Sequence, residues 1–195
     1  NPSSHGGAGV AGGGEPIDPT PGGGGIGCVT FDMPVSIWIG NSIESWVYKA
    51  IRIGEVLFSG NMKANLVTAK HKTKAETVIV RVKGNWLFDI ELRCSERHPL
   101  VTNFIDGKGR AVQNLSKGDV TLVSIDREIS RKPIRLIKRT GRVEEVGTFT
   151  LSPDHIYFAG RLRWRSPLHK LIGKLVGVPV VGIASHNVKQ EFLNP

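Results

Sequence analysis

Apolar residues in this chain fall into short groups at alternating positions, broken at close intervals by glycine, proline or asparagine. Val35, Ile37 and Ile39 alternate with Ser36 and Trp38, and the run from Thr77 to Val82 is rich in β-branched residues. The segments Leu87–Leu92 and Val120–Ile125 follow the same style. A period of two puts one side of each segment in a core, so all four are predicted strands. Gly40-Asn41, Gly84-Asn85 and Asp106-Gly107 read as the turns between them. Long amphipathic helical patterns are missing from Cys28 to about Phe158, which predicts an all-β domain rather than a parallel α/β layout.

Outside this pattern the composition changes abruptly. Residues 1–27 are dominated by glycine and proline, with almost nothing to bury, and are expected to be a flexible flank. Residues 161–178 interleave Arg161, Arg163, Arg165, Lys170 and Lys174 with leucines and Trp164. This basic insertion fits a short amphipathic helix, an extended arm or a plain solvated face. Residues 188–195 read as a second flank, leaving 28–187 as the folded unit. A weak internal echo links Ile51–Leu57 with Leu115–Thr121, which share an apolar residue, Gly, an acid and Val in order. An ancestral duplication with pseudo-twofold symmetry explains it, and so do two similar turns that each enter a strand.

The net charge of +9 speaks to non-specific association with polyanions, not to fold. No nucleic-acid-binding motif accompanies it, so neither nucleic acid nor a membrane is an expected partner. The longest apolar segment, 175–184, is too short to span a bilayer, and nothing resembles a signal peptide. A monomer in the cytoplasm, or within the host protein of a virion, is expected. The two cysteines, Cys28 and Cys94, lack metal-ligand spacing, so no metal or other cofactor is expected. They leave three readings open: a disulfide, packed thiols, or one reactive nucleophile. For Cys94 packing is the expectation.

Four short segments carry chemistry when taken together. Cys28 stands where the flexible flank meets the β domain; Ser95-Glu-Arg-His98-Pro99 follows a predicted strand; residues 146–160 contain His155; and Ser185-His186-Asn187 stands where the domain should end. Alone, each has a bland reading: a buried thiol, a structural imidazole, a turn entering a strand, a turn asparagine. In this order they resemble the sequence blocks of inteins and their Hint (hedgehog/intein) relatives. Cys28 resembles the first residue of an intein, and Ile51-Arg-Ile-Gly-Glu-Val56 resembles the I-x-x-G-D-x-V pattern that follows. Ser95–His98 is similar to the T-x-x-H motif, with Ser in place of Thr. Phe149, Leu151, His155 and Ala159 match V-Y-D-L-x-V-x-x-x-H-N-F-x-A, and His186-Asn187 resembles the terminal pair.

The resemblance implies an all-β, horseshoe-like Hint fold with pseudo-twofold symmetry, acting on its own flanking sequences without a cofactor. Cys28 would attack the carbonyl of Gly27 and turn the amide into a thioester, an N–S acyl shift. His98 would move the protons, with Ser95 and nearby backbone N–H groups holding the oxyanion. Asn187 would cyclise on its own carbonyl and cleave before Val188, helped by His186 and His155. Three departures shape this expectation. Val188 has no nucleophilic atom to accept a thioester, so cleavage should dominate over splicing, as in bacterial intein-like domains. Thr148 replaces the Asp of that block, and the gap from His155 to His186 is long for the family. The competing reading is an inactive β-rich interaction module inside a larger assembly such as a phage tail protein; a basic nucleic-acid-binding domain is a third.

Overall fold

A computed structural model describes residues 28–59, 63–102 and 109–186. Its strands are β1 (Val29–Thr30), β2 (Pro34–Ile39), β3 (Ser42–Val47), β4 (Val56–Ser59), β5 (Lys63–Lys83), β6 (Phe88–Ser95), β7 (Pro99–Val101), β8 (Gly109–Ala111), β9 (Val120–Ile125), β10 (Glu128–Ser152), β11 (Ile156–Ala159), β12 (Arg161–Trp164) and β13 (Val181–His186). One α-helix, α1 (Pro167–Val176), completes the described residues. The fold is all-β, as expected. Neighbouring strands run β11-β2-β4-β5-β6-β1-β10-β9-β13-β7-β8, with β12 on β6 and β3 on β2.

Two long strands form the spine. β5 and β10 pair antiparallel from Ile134↔Val82 to Ser152↔Leu66, with register shifts that bend the ribbon. The predicted strand 77–82 is therefore only the apolar end of a much longer one. Tight turns follow local backbone chemistry. Gly40 supplies the positive φ (+59°) for the two-residue link between β2 and β3, and Asp126 (φ +55°) does so between β9 and β10. The Asp126 carboxylate accepts from Val180 N–H at 3.0 Å, which ties that hairpin to the segment entering β13. At Gly84-Asn85 the loop is held by Asn85 Oδ1, which accepts from Leu87 and Phe88 N–H. Asp106-Gly107 lies outside the described residues.

The internal echo proves to be a matched pair of backbone traces. His98 N–H donates to Ser95 O at 3.0 Å as Met33 N–H does to Thr30 O at 2.9 Å. Val112 and Gln113 N–H bond His98 O and Glu96 O, as Tyr48 and Lys49 N–H bond Met33 O and Phe31 O. A 3₁₀ turn follows in both places, then Gly54 (φ +94°) and Gly118 (φ +100°). Gly54 N–H donates to Val67 O at 2.8 Å and Gly118 N–H to Ile134 O at 2.9 Å. Glu55 and Asp119 carboxylates each accept from the backbone N–H three residues earlier. The acid conserves the turn, and the glycine permits a backbone conformation that L side chains rarely adopt. The correspondence reaches further than the sequence echo: Thr30–Met33 and Ser95–His98 are the same turn.

Residues 161–178, expected as a short amphipathic helix, an extended arm or a solvated face, divide into a strand and a short helix. Arg161–Trp164 pairs with Asp89, Ile90 and their neighbours on β6, and α1 follows. Ser166 caps it by accepting from His169 N–H at 3.2 Å, with Pro167 at the first turn. Gly173 packs flat on Trp164, where a Cβ would stand 1.8 Å from the indole. Leu168, Leu171 and Leu175 face solvent, so the apolar stripe is not what anchors the helix.

The core lies between the curled layers of this sheet, around Val29, Val80, Leu92, Phe149 and Ile183. Tyr48 sits at its centre, stacked on Phe31 and tilted 4.5 Å from Phe149. Its hydroxyl donates toward Thr148 O (2.8 Å) and His71 O (3.0 Å), which fixes the stretch of β10 beside β1. Gly147 is required there, because a Cβ would come within 2.4 Å of the Tyr48 ring. No helix among the described residues is long and apolar enough to cross a membrane.

Candidate functional site

Cys28 enters the fold on a strand that antiparallel pairing holds on both sides. Val29 lies opposite Cys94 on β6 and opposite Gly147 on β10. Ser95 N–H donates to Cys28 O at 2.9 Å, and Cys28 N–H donates to Ser95 Oγ at 3.2 Å. The nitrogen of the bond between Gly27 and Cys28 is thus held by the Ser95 hydroxyl. Ser95 was expected to hold the oxyanion; the contact its hydroxyl makes here is with the nitrogen.

Because neighbours on a strand face opposite ways, Ser95 shares a face with Cys28 while Cys94 turns to the other. Both cysteines are buried and outside any disulfide, and Cys94 belongs to the apolar core. The disulfide alternative has no support in this register, and packing describes Cys94. Burial pushes the Cys28 thiol up to about 12. Burial, then the neighbouring Cys28, pushes Cys94 up as well.

The turn after Ser95 delivers His98, whose side chain is wholly buried. Its Nε2 lies 2.9 Å from Ser185 Oγ. Ser185 stands on β13, opposite Leu100 of β7 and opposite Tyr157 of β11. Sequence reasoning quoted Ser185 but gave it no role; its position depends on a cross-strand register that no local pattern reveals. The same residue leads directly into His186, so one strand carries both the partner of His98 and His186.

His155 and His186 form the second cluster, their rings 6.0 Å apart and inclined at 54°. The turn carrying His155 is clamped by buried Asn65: its amide donates to Ile156 O (2.7 Å) and accepts from Asp154 N–H (2.9 Å). Asn65 was invisible to sequence reasoning, lying in a polar stretch of β5. Burial, and then the charge of His155, lowers His186 below the usual imidazole range, which keeps it neutral near pH 7. Gly109 of β8 permits this crowding, since a Cβ there would meet Pro99 at 2.6 Å and His186 at 3.0 Å. Thr148 is buried beside β1, where the related motif has an acid.

The fold therefore sets the Cys28 N–H on Ser95 Oγ and His98 Nε2 beside Ser185 Oγ, while His186, next to Ser185 on β13, stands by His155. Gly27, Asn187 and Val188 lie outside the described residues. Among the described residues no group of three His, Cys, Asp or Glu side chains is placed to hold a metal ion.

No protein-family model matches the sequence, and no curated protein matches it. Solved structures do. A mini-intein variant M86 of Ssp DnaB is 17% identical with a TM-score of 0.60, covering 85% of this chain and 97% of that one. The gp41-1 intein is 16% identical with a TM-score of 0.57, covering 83% and 98%. A bacterial intein-like domain from Clostridium thermocellum is 12% identical with a TM-score of 0.53, covering 82% and 98%. The chain has the Hint/intein fold.

Proposed function

We propose that this Hint-fold domain rearranges the peptide bonds at its own two ends. The observation that carries the reading is the hydrogen bond from Cys28 N–H to Ser95 Oγ, one turn before buried His98. It grips the leaving nitrogen of the Gly27–Cys28 bond while the thiol that would attack belongs to the same residue. Proximity of this kind replaces a bimolecular encounter, at a gain of several kcal/mol (about 7–11 in ideal cases).

In the first step the Cys28 sulfur attacks the Gly27 carbonyl carbon. The S–C bond forms, the C–N bond breaks, and the thiol proton ends on the freed amine, so the product is an isomeric thioester. A thiol pushed up to about 12 is almost wholly protonated at neutral pH, which makes a proton acceptor essential. His98 takes the proton and returns it to the nitrogen. Ser95 Oγ accepts from the amide N–H at rest and, by rotating its hydroxyl, donates to the nitrogen once the lone pair is free.

At the other end the Asn187 side-chain nitrogen attacks its own carbonyl carbon, a succinimide closes, and the amine of Val188 leaves. Neutral His186 accepts the amide proton and His155 supports it. With valine next, the freed segments separate rather than join.

The test uses the full chain carrying a folded protein at each end, followed by intact mass. Dithiothreitol or hydroxylamine should release residues 1–27 with their attached partner. Cys28→Ala should abolish that release, and Asn187→Ala should block only the C-terminal cut. A chain that stays intact for days under thiol defeats the proposal and leaves an inert interaction module; dominant ligated flanks would defeat the cleavage part alone.

A further inference from the structure

Asn65 is a wholly buried amide near the start of β5, paired with Leu57 of β4. Asparagine is a poor strand former, and burying an amide is unfavourable unless its hydrogen bonds are met. Here both ends of the amide are met by one short stretch of chain. Its Nδ2 donates to Ile156 O at 2.7 Å, and its Oδ1 accepts from Asp154 N–H at 2.9 Å. A carbonyl only accepts and an N–H only donates, so the amide has a single orientation. The residue between those two contacts is His155.

The backbone shows why a side chain is needed at this point. The β5–β10 ladder ends at Ser152↔Leu66, and β11 takes up its pairing with β13 at Ile156↔His186. Pro153, Asp154 and His155 fall in the gap, outside every strand pairing among the described residues. Asn65 adjoins Leu66, and its amide spans that gap. It ties the residues before and after His155 to β5, and the second of them stands directly across from His186.

We propose that Asn65 is the positioning residue of the C-terminal step, holding His155 beside His186. The inference rests on the reading of His155 as the support of His186 in the Asn187 cut. Asn65 acts only through His155. The two imidazoles stand 6.0 Å apart, a separation that depends on where the turn sets the His155 backbone. Misplacing a reacting group by about 1 Å costs up to about 10²-fold in rate. The N-terminal step is insulated, because the Cys28–Ser95 contact is held by β1 and β6.

The test compares Asn65→Ala, His155→Ala and the double variant in the full chain carrying a folded protein at each end, followed by intact mass. Asn65→Ala should slow the C-terminal cut about tenfold or more, with thiol-induced release of residues 1–27 within about twofold of the parent. In the His155→Ala chain the same change should cost less than about twofold, because the group it positions is gone. A merely structural asparagine slows both ends together, or slows the C-terminal cut as much without His155 as with it. Either result overturns the proposal, and so does a C-terminal rate within about twofold of the parent. The second readout is NMR on a chain kept whole by Asn187→Ala. Cross-peaks between the His155 and His186 ring protons should be lost in Asn65→Ala and in the near-isosteric Asn65→Asp, which sets a carboxylate oxygen against Ile156 O. Their persistence in both also overturns the proposal. If the parent makes no C-terminal cut, the self-cleavage reading fails, and the cross-peaks still decide whether Asn65 holds His155.

Discussion

Removing the His98 imidazole should change how the N-terminal step depends on pH, and the size of the change follows from the burial of Cys28. A thiol pushed up to about 12 is ionised in about one molecule in 10⁴ at pH 8, and about tenfold more with each further unit. With His98 present the proton leaves as the sulfur attacks, so release of residues 1–27 should climb much less than tenfold per unit. In His98→Ala the sulfur must ionise alone. The variant should start about 10²–10⁴ slower at pH 7, the usual worth of a general base, and then gain about tenfold per unit. A deficit near 10³ would close around pH 10. The assay is the single-turnover rate of thiol-induced release from pH 7 to pH 10. Tryptophan fluorescence must accompany it, for a definite reason. Folding raises the Cys28 pKa above its ordinary 9.0, so stability is whole below pH 9 and declines above, by about 1.4 kcal/mol at pH 10. A variant that matches the parent in rate and slope, with the fold intact, refutes the assignment of His98 as the base.

Three further outcomes follow from the same geometry. Ser185→Ala strips the 2.9 Å partner from a wholly buried imidazole and should cost about 1–3 kcal/mol in urea unfolding, with slower N-terminal release. His155→Ala removes the second cause of the His186 shift, so the His186 titration followed by NMR should move up toward the ordinary imidazole range. The sign for stability follows: His186, lowered in the fold, contributes stability above pH 6.5 that is lost as pH falls through its folded value. Gly147→Ala drives a methyl into the Tyr48 ring, and overpacking of that kind should lower stability by about 1–3 kcal/mol in thermal or urea melts.

The strands legible in the sequence were those dense in apolar and β-branched residues. Val120–Ile125 falls on β9 residue for residue, with its middle four residues buried on both faces. By contrast the first half of β5, from Lys63 to Glu76, is rich in lysine and threonine and carries little periodic signal. It is a strand because β10 pairs with it, a cause that lies far away in the chain. The turn at Asp126 was missed because it lacks glycine, although a short polar side chain tolerates the same φ. In the site, Cys28, Ser95 and His98 were legible because their chemistry and their spacing coincide within single turns. Asn65 and Ser185 were not, since strand pairing between distant segments brings each to its partner. Ser95 was found, but its hydrogen bond to the Cys28 nitrogen was not, for only the pairing of β1 with β6 brings the two together.

Met33 and His98 occupy equivalent places on two backbone hooks with matching hydrogen bonds, one ending in a thioether and the other in an imidazole. The hook itself is chemically indifferent. Its shape is written in carbonyls, amides and a pair of glycines, so the side chain it presents can be exchanged without redrawing the path of the chain. The difference between a thioether at one hook and an imidazole at the other is thus confined to side chains laid over a repeated pattern of backbone hydrogen bonds.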